Sequence, residues 1–308
     1  MVFELKGERL EEGNITYGPH SFPGGPIIRI RTVHLPLAAG IAHRAILETL
    51  QAAFDDKDPD SVVSQVSERF GLDGDVPVDL DFISYGKVQL VYVATLADTV
   101  KLTTLINQPQ IPKEYVKDEF ENLQRLVEMD PRFVAEPYVY FSKGRHGLYV
   151  SEYFDKGMGV YCSVDVPWCV CKYEPGYHHE YFSPEAQPVV KSSMIALLVN
   201  YYDEENHRGI GKTRIRGDDF ILTQDYREYD PESILPNMRL IAARGFVDGS
   251  LDEYIGMLRR EFVFGIDELD HRRESEGLLI NHESVYPLSE REIETGIELG
   301  MSLREGHV

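Results

Sequence analysis

Three cysteines and two histidines lie close together near the middle of the chain, and their side chains are ligands that zinc prefers. They are Cys162, Cys169, Cys171, His178 and His179, enough sulfur and nitrogen donors for a tetrahedral Zn²⁺ site. The paired two-residue spacing typical of zinc sites is absent. A reduced cysteine is also commonly buried as a small hydrophobe. Two interpretations therefore stand, a zinc site formed by Cys162, Cys169, Cys171 and His178, and a packed aromatic region.

A second chemical grouping is a run of carboxylates that begins shortly after residue 200. Carboxylate oxygens are the ligands that hard divalent cations prefer. In a chain with 52 acidic residues, such a cluster is also typical of a solvated face. The residues are Glu204, Glu205, Asp218, Asp219, Asp225, Glu228 and Asp230.

The segments that would position these residues are of mixed type. Apolar residues at helical spacing predict helices over 38–54 and 61–70, and the Gly- and Pro-containing stretch 71–79 is typical of a linker. Segments 81–96 and 99–106 are rich in β-branched and apolar residues and predict antiparallel strands joined at Ala97-Asp98.

The same patterns continue to the end of the chain. We expect a helix over 112–129, strands over 138–141 and 147–154, and an irregular aromatic stretch to residue 186. The second half predicts helices over 188–202, 251–262 and 289–303, with short strands at 220–223 and 238–242.

Residues at the junctions of these elements carry a family resemblance. Lys101 lies on the strand before the helix 112–129, Glu119 follows it by eighteen residues on that helix, and Glu152, Tyr153 and Phe154 end the next strand pair. This order resembles the protein-kinase-like and aminoglycoside-phosphotransferase-like superfamily over roughly residues 80–262. The resemblance implies that Lys101 binds the ATP phosphates and pairs with Glu119, and that the backbone of 152–154 binds adenine.

Two further positions follow from the same resemblance. Gly86 stands where the family has a glycine-rich loop above the phosphates, although one glycine replaces several. Arg216-Gly217-Asp218 is similar to the family's catalytic loop and makes Asp218 the candidate base, with Asp219 as the alternative register.

The metal ligands of the family are where this sequence departs from the pattern. The family's Asn about five residues after the base is missing, because 220–223 read Phe-Ile-Leu-Thr. Ala242 and Ala243 stand where the second metal-binding acid is expected, and Asp248 is the fallback Mg²⁺ ligand. Without both ligands, a kinase would lose the Mg²⁺ that neutralises transition-state charge.

Composition limits the remaining choices. The chain has 308 residues, 43% of them hydrophobic, which is enough for a folded core. Its net charge of −21 disfavours nucleic acid and anionic membranes as partners. We expect a cytoplasmic location, because there is no apolar segment of membrane-spanning length, no secretory signal pattern and only three cysteines.

Together these observations predict an α+β protein with a two-lobed kinase-like fold. The N-lobe is an antiparallel sheet plus a helix, the C-lobe is mainly helical, and an α/β extension precedes both. The expected boundaries are 1–79 for the extension, 80–154 for the N-lobe and hinge, and 155–308 for the C-lobe.

Three functional hypotheses follow. The first is an ATP-dependent phosphotransferase that uses ATP and Mg²⁺ and acts on a small molecule or a protein. The second, which the missing metal ligands favour, is a non-catalytic or atypical nucleotide-binding scaffold. The expected ligand is a nucleotide or small molecule, and a protein is a further candidate partner. The third is a mixed α+β binding protein with a zinc site.

Overall fold

The computed structural model describes residues 10–11, 14–17, 28–30, 33–55, 57–73, 76–85, 88–161, 169–172, 179–211, 219–223, 233–263 and 289–306. The chain divides into two compact units. Unit 1 comprises Met1–Glu121 and Glu136–Tyr153, and unit 2 comprises Asn122–Ala135 and Phe154–Val308.

The main sheet of unit 1 has six strands in the order β3-β5-β6-β7-β9-β8. Only the β3–β5 pair is parallel; the other four pairs are antiparallel. The strands are β3 (Ile28–Ile30), β5 (Val78–Tyr85), β6 (Gln89–Leu96), β7 (Val100–Asn107), β8 (Pro137–Lys143) and β9 (His146–Glu152). A smaller sheet contains β1 (Leu10–Glu11), β2 (Asn14–Tyr17) and β4 (Val33–Pro36).

Two helices of unit 1 precede strand β5. Helix α1 spans Leu37–Ala53 and α2 spans Val62–Phe70. The Ser61 hydroxyl accepts a hydrogen bond from the Ser64 backbone N–H at the start of α2, and Gly71 ends that helix with a φ of +64°. A left-handed residue at this position is the usual glycine role at a helix C-terminus.

The core of unit 1 joins these helices to one face of the sheet. Alternate residues of the strands, such as Leu90 and Tyr92 of β6 and Leu102 of β7, are buried in one cluster with Ile46 and Leu50 of α1. Residues two apart on a strand share a face, so the period-two pattern of β6 supplies this surface. The segment 1–79 was predicted to be a separate extension, and that boundary stays a prediction. Its described helices and strand β3 belong to the same compact unit as the sheet.

Helix α3 spans Lys113–Met129, and the division between the units falls inside it, between Glu121 and Asn122. In unit 1 the Phe120 ring lies 6.0 Å from the rings of both Tyr140 and Tyr149, measured between centroids. Aromatic rings at this separation interact favourably. These contacts fix the first half of α3 against β8 and β9.

Unit 2 contains a five-stranded antiparallel sheet in the order β12-β11-β10-β14-β15. The strands are β10 (Met158–Tyr161), β11 (Cys169–Lys172), β12 (His179–Tyr181), β14 (Phe220–Leu222) and β15 (Met238–Leu240). Strands β13 (Arg208–Ile210) and β16 (Phe246–Asp248) form a separate pair, and Pro131–Phe133 is a 3₁₀ turn.

Besides the end of α3, the helices that the structure describes in unit 2 are α4 (Ala186–Asn200), α5 (Ile234–Asn237), α6 (Leu251–Val263) and α7 (Glu290–Arg304). Residues 192–200 of α4 are all buried, so this helix lies inside unit 2. Helix α7 packs along it through Gly296 and Gly300. The α+β class with an antiparallel sheet and helices is confirmed, and unit 2 holds a sheet as well as the helices expected there. Among the described residues, no helix is long and apolar enough to span a membrane.

Candidate functional site

Lys101 lies at the start of β7 with its side chain exposed. Its neighbour Leu102 is opposite Glu152 on β9, which brings Lys101 close to Tyr153 at the end of that strand. The Lys101 ammonium nitrogen is 5.4 Å from the centroid of the Tyr153 ring. A cation within about 6 Å of an aromatic face is attracted by the ring quadrupole. Two of the predicted nucleotide-binding residues are therefore in contact.

Glu119 is fully buried on the sheet-facing side of α3. Its carboxylate accepts a hydrogen bond from the side-chain amide of Gln89, at the start of β6. A buried carboxylate needs such donors, because its desolvation is costly without them. Gln89 is opposite Asn107, the last residue of β7. The position of Glu119 is thus fixed at the Asn107 end of that strand.

The strand register separates Lys101 from Glu119. Lys101 is opposite Thr95 on β6, whereas the Gln89 that binds Glu119 is opposite Asn107, six residues further along β7. Six residues of strand span about 20 Å at the usual ~3.3 Å per residue. That span exceeds the combined reach of the lysine and glutamine side chains. The register therefore places Lys101 and the Gln89 that binds Glu119 toward opposite ends of β7, so the structure does not bring the two predicted residues together.

The predicted adenine-binding segment coincides with the division between the units, which falls between Tyr153 and Phe154. The Glu152 backbone N–H donates to the Glu136 carbonyl at 2.8 Å, and its carbonyl accepts from the Thr103 hydroxyl at 3.1 Å. In unit 2, the Phe154 carbonyl accepts from the Gly157 N–H at 2.8 Å. The protein itself therefore uses backbone groups that were predicted to bind adenine.

A charged cluster adjoins Glu152 in unit 1. Arg69 forms an ion pair with Glu136 at 2.6 Å, and its guanidinium carbon lies 4.5 Å from the Tyr138 ring centroid. Burial of Tyr138 and the negative charges of Glu152 and Glu136 raise its pKa to about 12. The Tyr138 hydroxyl therefore stays protonated at neutral pH and does not act as a base there.

The buried side-chain amide of Asn107, at the end of β7, is not among the site residues that the sequence predicted. The Asn107 side-chain nitrogen donates to the carbonyl of Ile111 at 2.5 Å, and its oxygen accepts from the Gly147 N–H at 2.7 Å. These bonds connect β7 both to the segment before α3 and to the start of β9. A single asparagine at a strand end has no sequence signal that distinguishes it from an ordinary turn residue.

The candidate catalytic segment of unit 2 lies where β14 and β15 meet. Asp219 is almost fully buried, and its backbone carbonyl accepts from the Ile241 N–H at 2.8 Å. The Arg244 guanidinium nitrogen lies 3.5 Å from an Asp219 carboxylate oxygen. Ala242 and Ala243, which directly precede Arg244 in the chain, are buried. The Asn122 side-chain amide donates to the Ala243 carbonyl at 2.8 Å.

This arrangement does not fit a Mg²⁺ ion. Magnesium requires oxygen ligands in near-octahedral geometry, usually including one or two carboxylates. The two alanines contribute no side-chain oxygen, and the Asp219 carboxylate faces a guanidinium. Asp248, the fallback Mg²⁺ ligand, is exposed at the end of β16, opposite Arg208. The candidate base Asp218 and the loop residue Gly86 lie outside the described residues.

The predicted zinc cluster is described only in part. Cys169 and Cys171 lie on β11, where Cys171 is opposite His179 of β12. Cys162 and His178 lie outside the described residues. Within the part of the chain that the structure describes, no group of three or more His, Cys, Asp or Glu side chains is arranged to hold a metal ion.

Comparison with known proteins gives matches among solved structures alone. No protein-family model and no curated protein matches the chain. The BubR1 kinase domain matches at 15% identity and a TM-score of 0.35, over 57% of this chain and 48% of that chain.

Two other kinases match in the same way. A protein named as a fructosamine-3-kinase from Haemophilus somnus 129PT has 12% identity and a TM-score of 0.32, over 50% of this chain and 43% of that chain. The autoinhibited serine kinase domain of titin has 9% identity and a TM-score of 0.37, over 56% and 46%. The chain spans about half the length of each solved chain. All three TM-scores lie below 0.5, and these likenesses carry no information about chemistry.

Proposed function

We infer that this chain is a non-catalytic binding protein with a kinase-like order of elements. The observation that carries the inference is the register of β6 and β7, which separates Lys101 from the site where Glu119 is bound. In a kinase, the corresponding ion pair must be in place for phosphate positioning. Here the Glu119 carboxylate accepts a hydrogen bond from the Gln89 side-chain amide inside unit 1.

The hydrogen bonding of Glu152 supports the same proposal. Binding an adenine through the Glu152 backbone would first require breaking the bond between its N–H and the Glu136 carbonyl. An unsatisfied buried backbone group costs about 1–3 kcal/mol. Nucleotide affinity would be reduced by that amount, unless the exchanged bond were regained elsewhere.

An atypical nucleotide-binding scaffold is the second candidate, and one contact favours it. Lys101 is exposed and lies against the Tyr153 ring, so a cation and an aromatic face are adjacent at the end of β7. Such a pair suits stacking of a purine beside a phosphate. This mode requires neither Glu119 nor a metal.

A binding experiment on the full chain tests the proposal. Mg²⁺-ATP, ATP with a chelator, and no nucleotide are compared by thermal unfolding and by calorimetric titration, together with a radiolabelled phosphotransfer assay. We expect no phosphotransfer and no thermal shift specific to Mg²⁺. The variants are Lys101→Ala and, as the matched control, Lys117→Ala, an exposed lysine on α3 that pairs with Glu121.

Two outcomes would depart from this expectation. The non-catalytic proposal fails if the wild-type protein transfers phosphate, and Lys101 takes part in that transfer if Lys101→Ala abolishes it while Lys117→Ala does not. Metal-independent ATP binding that is lost only in Lys101→Ala identifies the atypical scaffold. A zinc-binding role is a separate proposal; metal analysis of purified protein that finds no stoichiometric zinc would remove it.

A further inference from the structure

An arginine and a buried aspartate form an ion pair at the end of the five-stranded sheet in unit 2. Asp219 directly precedes β14, and Arg244 follows β15 by four residues. Strands β14 and β15 pair antiparallel, with Phe220 opposite Leu240. The strand pairing therefore brings the start of one segment next to the end of the other.

The backbone on both sides of this ion pair is held in place. The Asp219 carbonyl is bonded to the Ile241 N–H at 2.8 Å, and the Ala243 carbonyl is bonded to the Asn122 amide at 2.8 Å. Arg244 comes directly after Ala243. The backbone directly before Arg244 is therefore fixed at Ala243, which lowers the entropy lost when the guanidinium contacts Asp219.

Both side chains of this ion pair are largely buried, so the negative charge of Asp219 is poorly solvated by water. Only 9% of the Asp219 side chain and 20% of the Arg244 side chain are exposed. A carboxylate buried to this extent requires a compensating cation. Arg244 supplies that positive charge permanently, because a guanidinium does not deprotonate in proteins.

We propose that Arg244 is the resident cation of the Asp219 site and that it excludes divalent cations from this position. This proposal rests on the proposed non-catalytic function and deepens it, because it names the residue that keeps divalent cations away from Asp219. A divalent cation approaching Asp219 would meet a fixed positive charge and would gain no side-chain ligand from Ala242 or Ala243. The Asp219 carboxylate is thereby neutralised without a metal.

The test uses Mn²⁺ as the probe and the full chain as the protein. Bound Mn²⁺ is measured by the loss of the free-ion signal in electron paramagnetic resonance, and stability is measured by thermal unfolding with and without Mn²⁺. Arg244→Gln removes the charge and keeps a polar side chain of similar length. Arg244→Lys keeps the charge, and Arg239→Gln removes an arginine that donates instead to the Pro236 and Met238 carbonyls.

We expect the Arg244→Gln variant to bind Mn²⁺ at least about tenfold more tightly than the wild-type protein. Adding Asp219→Asn to this variant should abolish the gain. Arg244→Lys and Arg239→Gln should match the wild-type protein. Circular dichroism confirms that each variant is folded.

Two results would overturn the inference. One is a folded Arg244→Gln variant that binds Mn²⁺ no better than the wild-type protein. The other is wild-type binding of Mn²⁺ that disappears in Asp219→Asn. If Arg244→Gln does not fold, the Arg244→Lys protein still decides the question, since Asp219-dependent Mn²⁺ binding in that variant contradicts charge exclusion. Phosphotransfer by the wild-type protein would refute the non-catalytic function independently of these outcomes.

Discussion

Replacing Gly300 with alanine should destabilise unit 2, because α7 and α4 approach too closely for a side chain at this position. A Cβ at Gly300 would lie 2.6 Å from the Cβ of Val199 and 2.7 Å from the Ala196 carbonyl oxygen. Both contacts are well below van der Waals distance. Neither neighbour can yield easily, since one is a branched carbon and the other is helix backbone.

The expected magnitude comes from two opposing effects. Forcing an extra methyl group into a packed interface typically costs about 1–3 kcal/mol. Alanine in place of glycine regains about 0.8–1 kcal/mol of helix propensity. We therefore expect a net loss of up to about 2 kcal/mol in the free energy of unfolding, and a similar loss for Gly296→Ala, where a Cβ would lie 2.6 Å from the Cβ of Ile195.

Urea unfolding followed by circular dichroism measures this effect, because the free energy of unfolding depends linearly on denaturant concentration. Thr295→Ala is the control, since Thr295 is exposed on the same helix and alanine has the higher helix propensity. An increase in stability for both Gly296→Ala and Gly300→Ala would refute the close approach of α4 and α7.

Three further perturbations test other contacts. Ser61→Ala removes the hydroxyl that accepts the Ser64 N–H and should lower the free energy of unfolding by about 1 kcal/mol, measured by urea unfolding. Asn107→Ala leaves the buried Gly147 N–H without its acceptor, should cost about 1–3 kcal/mol, and should speed hydrogen exchange of that amide. Burial raises the pKa of Asp130, but hydrogen bonds from the Arg132 side chain and backbone and from Asn200 outweigh burial and hold the pKa below its usual value. Asp130 therefore stabilises the fold above its unfolded pKa of about 3.9, and this stability is lost as pH falls through the lower folded pKa. Thermal unfolding between pH 2 and pH 6 should show a smaller acid-induced loss for Asp130→Asn than for the wild-type protein.

Local periodicity was enough to place most of the elements that flank the candidate site. The predicted helix over 38–54 is found at Leu37–Ala53, and the one predicted over 112–129 is found at Lys113–Met129. These predictions succeed because a helix that buries one face has apolar residues three or four positions apart, and this pattern can be recognised within a short stretch of sequence.

Predictions that depended on distant contacts did worse. Glu119 follows Lys101 by eighteen positions, which matched the family spacing, but this spacing contains neither the register of β6 against β7 nor the position of α3 along the sheet. The composition of 71–79 correctly indicated a connection between α2 and β5, yet it did not reveal that the two sides share one core. A linker pattern reports local backbone preference, whereas a domain boundary depends on which apolar faces meet.

In unit 2, too, local elements were predicted and long-range contacts were not. The strands predicted at 220–223 and 238–242 are found at Phe220–Leu222 and Met238–Leu240. The contact of Arg244 with Asp219 had no sequence signal, because twenty-five residues separate them. Only the antiparallel pairing of β14 with β15 brings them together.

The most direct test of the non-catalytic assignment is a double-mutant cycle on Lys101 and Glu119, measured as free energies of unfolding with and without Mg²⁺-ATP. The variants are Lys101→Ala, Glu119→Gln and their combination, with a second cycle on Gln89 and Glu119 as the positive control. We predict that the Lys101 and Glu119 effects add within about 0.5 kcal/mol in both conditions, while Gln89 and Glu119 show a coupling of about 0.5–3 kcal/mol. A coupling between Lys101 and Glu119 above about 1 kcal/mol that requires Mg²⁺-ATP would contradict the account, because it would mean that the phosphate-positioning pair forms when nucleotide binds.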